Sequence, residues 1–171
     1  ILLKDDKGYP YLRLNMKEPY PVITMVNRVE SDEAEYFGPF GSRSVTQSLL
    51  EAIRLALKLP GCHKQFPRDV GKGRVCLNYH MNQCAGWCQE GMTVTQYRET
   101  MEQARQLLSG NYKQVAEEIR QDMLRAAENM NFELAASLRD RFQAVNALGQ
   151  KQLVTAGKAG AKNAALLAIS M

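Results

Sequence analysis

Apolar and polar residues alternate along the first part of the chain, which is the pattern of half-buried β-strands. The segments YLRLN (11–15) and VITMVNRV (22–29) follow this alternation and are rich in residues that favour strands. Between them, MKEPYP (16–21) would interrupt any helix, and EYFGPF (35–40) is typical of a short strand that runs into a Gly-Pro turn. We therefore predict a β segment over residues 1–40.

The period then changes to that of an amphipathic helix, SVTQSLLEAIRLALKL (44–59). Ser42 or Ser44 can cap its start, and Pro60-Gly61 should end it. The residues expected on its apolar face are Val45, Leu49, Ile53, Ala56 and Leu57. Residues 61–92 show little periodicity, contain five glycines and have few apolar side chains, so something else must order this loop.

Residues 93–150 are again helical in pattern. Thr93 and Gln96 can form a capping box at the start of a first helix that ends near Gly110. Two more apolar stripes follow, separated only by the turn ENMN (128–131), where an Asn would suit left-handed geometry. So short a turn predicts an antiparallel helical hairpin over about 111–148, whose apolar stripes either pack on this chain or need a partner. Residues 151–171 remain unassigned.

The predicted fold class is therefore α+β. A small N-terminal β segment leads into a region over 41–92 that contains one helix and a Cys-rich loop, which we expect a metal to order for the reasons given below. The C-terminal helical region with its hairpin follows.

Composition adds little to this outline, but the distribution of charge adds more. The chain has 171 residues, is 45% hydrophobic and carries a net charge of +4, which permits nucleic-acid binding without requiring it. It has neither a signal-peptide pattern nor an apolar run long enough to cross a bilayer, so we expect a cytoplasmic protein with no membrane partner. Between the first and last cysteines, one carboxylate, Asp69, faces four basic residues. These candidate DNA-binding residues are Lys64, Arg68, Lys72 and Arg74.

The four cysteines, Cys62, Cys76, Cys84 and Cys88, follow the spacing C-x13-C-x7-C-x3-C. A disulfide framework belongs to small secreted chains, and nothing here suggests secretion. No cysteine has an obvious catalytic base, because sequence proximity of His63 and His80 does not establish contact. The loop also has little core in which to bury thiols, which leaves a metal site.

The spacing helps to choose between two metal groups. Zinc sites with four cysteine ligands usually contain two C-x2-C pairs, which are missing here. Wider and uneven gaps suit a [4Fe–4S] cluster, whose ligands must reach four separate iron corners. Spacing alone favours the cluster, with Zn²⁺ as the alternative. In either case, metal binding would supply the ordering energy that the loop lacks.

Four segments in this order give the chain a resemblance to the UvrC family, the nuclease subunits of bacterial nucleotide excision repair. They are LLKDDKGYPYLRL, EYFGPFGSRS, CLNYHMNQCAGWC and NFELAASLRDRFQAV, and the resemblance covers about residues 1–154. It implies that the four cysteines hold an iron–sulfur cluster. It also implies that the hairpin is a UVR motif that pairs with a related hairpin of UvrB.

Within this hairpin, Phe132 is the candidate anchor, because it stands at the turn and aromatic anchors carry much of an interface's energy. The alternative is a side chain in the hairpin's own core. The remaining candidate partner contacts are Glu133, Ala136, Arg139 and Asp140.

The resemblance implies incision of damaged double-stranded DNA on both sides of a lesion by the whole protein. The motifs of the family's GIY-YIG nuclease should lie upstream of this chain. Its RNase H-like centre needs paired acidic residues, and no carboxylate side chain follows Asp140. We therefore expect the chain alone to cut no DNA. The alternative function is a UVR-containing regulatory adaptor with a structural zinc site and no DNA role.

Overall fold

The computed structural model describes residues 9–150, and its N-terminal part is a three-stranded antiparallel sheet. The strands are β1 (Tyr11–Leu14), β2 (Thr24–Val26) and β3 (Glu35–Phe37), in the order β2-β1-β3. Leu12 pairs with Met25 on one side and Phe37 on the other, so β1 is central. Leu12 and Leu14 are fully buried, which confirms the alternating pattern.

The predicted first helix is present as α1 (Arg43–Leu57), and three residues of its expected apolar face are buried, namely Ile53, Ala56 and Leu57. Ser42 caps it by accepting a hydrogen bond from the Val45 N–H. Leu50 is buried, whereas Val45 is 46% exposed. Thr46 is buried as well, and its hydroxyl donates to the Ser42 carbonyl at 3.0 Å, so this buried polar group has a partner.

The remaining helices are α2 (Leu77–His80), α3 (Val94–Leu108), α4 (Tyr112–Glu128) and α5, which runs from 132 to 150, where the described residues end. The capping box of Thr93 and Gln96 at α3 is confirmed. The α+β fold and the hairpin of α4 and α5 are confirmed as well. In the turn between them, the left-handed residue is Met130 rather than an Asn.

Part of the hairpin's apolar stripe is buried within this chain, because α4 packs on α3 and α3 packs on α1. The fully or nearly fully buried hairpin residues are Val115, Ala116, Ile119, Ala126, Leu138, Val145 and Leu148. None of the helices in the described part of the chain combines the length and apolar character that a bilayer crossing requires. The division at 40, 92 and 150 stays a prediction. The tail 151–171 and the residues before Tyr9 lie outside the described residues.

Candidate metal centre

The four cysteines line one small cavity of about 10 Å³ that opens to solvent. Cys62 follows α1, Cys76 is the N-cap residue of α2, and Cys84 and Cys88 flank the turn that precedes α3. All four are free thiols, Cys84 being buried and Cys62 exposed. The fold therefore gathers residues that are up to 26 positions apart in the sequence around one space.

The described residues contain no compact group of metal ligands around a single point. Among residues 9–150, no three Cys, His, Asp or Glu side chains converge on a position that could hold a single metal ion. His63 and His80 are both exposed and do not line the cavity. Among the residues that line this space, the cysteines are thus the ones with metal-ligating side chains.

Three aromatic rings complete the wall of the cavity: Phe66, Tyr79 and Trp87. Trp87 packs edge-on against Tyr97 with ring centroids 5.3 Å apart, and Phe66 lies 6.0 Å from the same Tyr97 ring. Because Tyr97 is a buried residue of α3, it forms a rigid base under the cysteine segment. Aromatic rings of this kind exclude water from one side of the thiols.

Backbone N–H groups and neighbouring charges set the thiol acidities. The Tyr79 N–H at the start of α2 lowers the pKa of Cys76. Burial raises the pKa of Cys84, and the nearby sulfurs of Cys76 and Cys62 raise it further, although the Gly86 N–H lies 3.4 Å from the Cys84 sulfur. The thiols are thus close enough to oppose one another's ionisation, a conflict that bound cationic metal removes.

The cysteine segment is fixed to the end of α1 by one carbonyl group. The Lys58 carbonyl accepts hydrogen bonds from the Ala85 N–H at 3.0 Å and from the Trp87 indole N–H at 2.8 Å. Trp87, Cys84 and part of Phe66 also join the hydrophobic core. The expectation that this loop has almost no core of its own was therefore too strict. The chain's single Trp, inside the C-x3-C pair, was the signal that could have shown it.

Glycine is required at the turn between Cys84 and Cys88. Gly86 has φ +83°, a left-handed conformation that other residues rarely adopt. A Cβ there would lie 3.0 Å from the Tyr79 ring, which is closer than carbon atoms normally approach. The missing side chain lets the Tyr79 ring close over the turn.

The four basic residues of this segment differ in their availability. The Lys64 ammonium donates to the Arg74 carbonyl at 3.3 Å, so it holds the loop together. Arg68 pairs with Asp69 at 3.2 Å. Lys72 and Arg74 are exposed, and no acidic side chain of the described residues pairs with them. These last two side chains are the ones free to meet an anion.

The candidate partner contacts on α5 form one exposed stripe. Positions 132, 133, 136, 139 and 140 recur at the spacing of a single helix face, and all five are exposed. Phe132 is 67% exposed, so it does not fill the core of its own hairpin. Arg139 and Asp140 lie 3.7 Å apart and are both open to solvent.

Comparison with known proteins matches both parts of the structure. Residues 9–107 match the family model described as the middle domain of the UvrC/Cho excinuclease. This chain belongs to the UvrC family. Residues 113–148, which contain most of α4 and α5, match the UvrB/uvrC motif.

Curated members of the UvrC family align with nearly the whole chain. UvrABC system protein C of Ruminiclostridium cellulolyticum is 42% identical over 90% of this chain, and that of Acetivibrio thermocellus is 40% identical over 90%. The chain spans about a quarter of the length of these relatives, 25% in each case. No solved structure matches significantly. The adaptor alternative explains only the match at 113–148 and leaves the UvrC middle-domain match unexplained.

Proposed function

We propose that this chain is the metal-binding and partner-binding middle part of an excinuclease subunit. In the whole protein, that subunit would incise the damaged DNA strand on both sides of a lesion. The observation that carries the proposal is a cavity lined by four cysteines within a region that matches the UvrC middle domain. The chain itself would position the partners, and the cutting would be done by nuclease centres whose motifs are not in this sequence.

The spacing of the four cysteines supports a [4Fe–4S] cluster over zinc. Zinc needs four sulfurs at about 2.3 Å from one point, which C-x2-C pairs provide. Here the four cysteines line one space, but their spacing C-x13-C-x7-C-x3-C contains no C-x2-C pair. A cubane accepts one thiolate at each of four iron corners, so it suits separated sulfurs. When bound, the cluster would supply cross-links that order the loop.

The metal is tested by preparing the chain without oxygen and measuring iron, sulfide and zinc. We expect a brown protein that absorbs near roughly 400 nm and contains about four irons. Cys84→Ser should lose most of this iron. His63→Ala, a change beside Cys62 at an exposed position that does not line the cavity, should keep it. A colourless protein with one tightly bound zinc would overturn the cluster.

The exposed stripe on α5 supports binding to UvrB. Phe132 presents a large ring at the start of the helix, next to the exposed Met130. We expect Phe132→Ala to weaken UvrB binding by more than about 1 kcal/mol while leaving the free energy of unfolding unchanged. Leu55→Ala, which also truncates an exposed apolar side chain but on α1, is the matched control. Equal affinities of Phe132→Ala and the parent chain would remove Phe132 from the interface.

Contact with DNA phosphates would come from Lys72 and Arg74, since Lys64 and Arg68 already have partners within the loop. The double variant Lys72→Ala/Arg74→Ala should bind DNA more weakly. It should also reduce the slope of log affinity against log salt by about 2. Lys113→Ala, at an exposed position on α4, controls for loss of charge. A salt slope that does not change would exclude a phosphate contact at this loop.

A further inference from the structure

Lys58 contacts three separate parts of the molecule. It is the residue that ends α1, and its carbonyl holds Ala85 and Trp87 of the cysteine segment. Its ammonium donates to the Asn82 amide oxygen at 3.0 Å and to the Ser137 hydroxyl of α5 at 2.7 Å. One side chain therefore joins the loop beside the cysteines to the second helix of the hairpin.

A lysine is an unusual choice for this position. Lys58 has φ +55°, the left-handed conformation in which helix ends usually place glycine. Burial lowers the pKa of the Lys58 ammonium, and the nearby Arg141 lowers it further. Its hydrogen-bond acceptors are neutral side chains. Glycine would serve the helix end better, so the energetic cost of lysine here indicates a role for the side chain itself.

Lys58 forms hydrogen bonds with the cysteine segment, which is the segment that bound metal would order. Asn82, Ala85 and Trp87 all lie between Cys76 and Cys88 in the sequence, and Trp87 lines the cysteine cavity. A change in the loop would move the N–H groups that donate to the Lys58 carbonyl and the Asn82 side chain that accepts from its ammonium. Its ammonium could then no longer reach Asn82 and Ser137 at the same time.

We propose that Lys58 couples the four-cysteine site to the hairpin, so that metal in the site tightens the contact of α5 with the loop and loss of metal weakens it. Because coupling between two sites is reciprocal, α5 in its docked position also retains the metal. Ser137 is the residue after Ala136 of the exposed stripe, so the metal site controls how α5 presents its partner surface. This inference rests on the proposed metal centre.

The test uses Lys58→Gly, Ser137→Ala and the double variant. Lys58→Gly keeps the left-handed backbone and the accepting carbonyl but deletes the ammonium. Amide hydrogen exchange in α5 measures release of the hairpin. Release of iron to a chelator and alkylation of the thiols by iodoacetamide in the metal-free chain measure the loop. Ser48→Ala, at an exposed position of α1, is the control.

We expect each single variant to speed α5 exchange, iron release and alkylation by about fivefold, the effect of one net hydrogen bond. The double variant should do no more than the stronger single variant, because both changes break the same bridge. The coupling would be overturned if a variant changed α5 exchange without changing iron release and alkylation, or the reverse. It would also be overturned if the effects of the two single variants multiplied in the double variant, or if Lys58→Gly kept the rates of the parent chain. If the parent chain holds no metal, the proposed metal centre is wrong. Exchange and alkylation in the metal-free chain would then still show whether Lys58 connects the loop to α5.

Discussion

Replacing Tyr97 by Phe removes one oxygen from the base of the cysteine segment and leaves the ring in place. Tyr97 is 2% exposed, and its hydroxyl donates to the Pro21 carbonyl at 2.7 Å. Pro21 is itself buried, and no other hydrogen bond to its carbonyl exists among the described residues. The bond links α3 to the segment between β1 and β2.

The expected cost follows from which group is left without a partner. Phe retains the aromatic contacts with Trp87 and Phe66, so no cavity is created. The buried Pro21 carbonyl loses its donor, and an unsatisfied buried acceptor costs about 1–3 kcal/mol. We expect Tyr97→Phe to lower the free energy of unfolding by about 2 kcal/mol, or the melting temperature by roughly 6 °C for a chain of this size.

The assay is urea denaturation of the parent chain, Tyr97→Phe and Tyr9→Phe under the same metal loading. Tyr9 is 47% exposed, so its variant should stay within about 0.5 kcal/mol of the parent. Iron content should be equal in all three, since the wall of the cavity is intact. A loss below about 0.5 kcal/mol for Tyr97→Phe would refute the reasoning and mean that the Pro21 carbonyl has another partner.

The same residue gives a pH dependence with a definite sign. Burial raises the pKa of Tyr97 above its ordinary value, because the anion would lose its hydration. The unfolded chain therefore releases this proton at a lower pH than the folded chain. The contribution of this group to the free energy of unfolding is fully present below about pH 10 and falls as the pH rises above that value. The parent chain should therefore lose its advantage in unfolding free energy over Tyr97→Phe in that range. An advantage that grows above about pH 10 would contradict the assignment.

Two further predictions concern packing. Gly149→Ala should destabilise the chain by more than about 1 kcal/mol, because the added methyl group would overlap the Tyr112 ring at the base of the hairpin. Gly61→Ala should cost little, because its methyl group would only come into ordinary contact with the Asn78 side chain at 4.0 Å. Leu50→Ala should cost about 2–4 kcal/mol and Val45→Ala less than about 1 kcal/mol in thermal unfolding, since Leu50 is buried and Val45 is half exposed. Equal losses within either pair would show that the packing is assigned wrongly.

The elements could be predicted from sequence because their signals are local. Alternation in YLRL gave β1, and the Thr93–Gln96 capping box gave the start of α3. The buried face of α1 was only partly predicted, since Val45 and Leu50 are both apolar and only packing distinguishes them. The four cysteines were evident from residue type and spacing. The role of Lys58 was not, because a single lysine after a helix carries no pattern.

The order of the elements, the set of thiols and the family could thus be obtained without coordinates, since each depends on residues close together in the chain or on residue identity. The tertiary structure decided which groups meet. It brought Cys62 to the same cavity as Cys88, placed Trp87 on Tyr97, and set Lys58 against Ser137, which lies 79 positions later. It also showed that Lys64 and Arg68 have partners within the loop, whereas Lys72 and Arg74 are open to solvent. Such contacts depend on how the chain closes long loops and on which surfaces are complementary, and neither property is written in a local pattern.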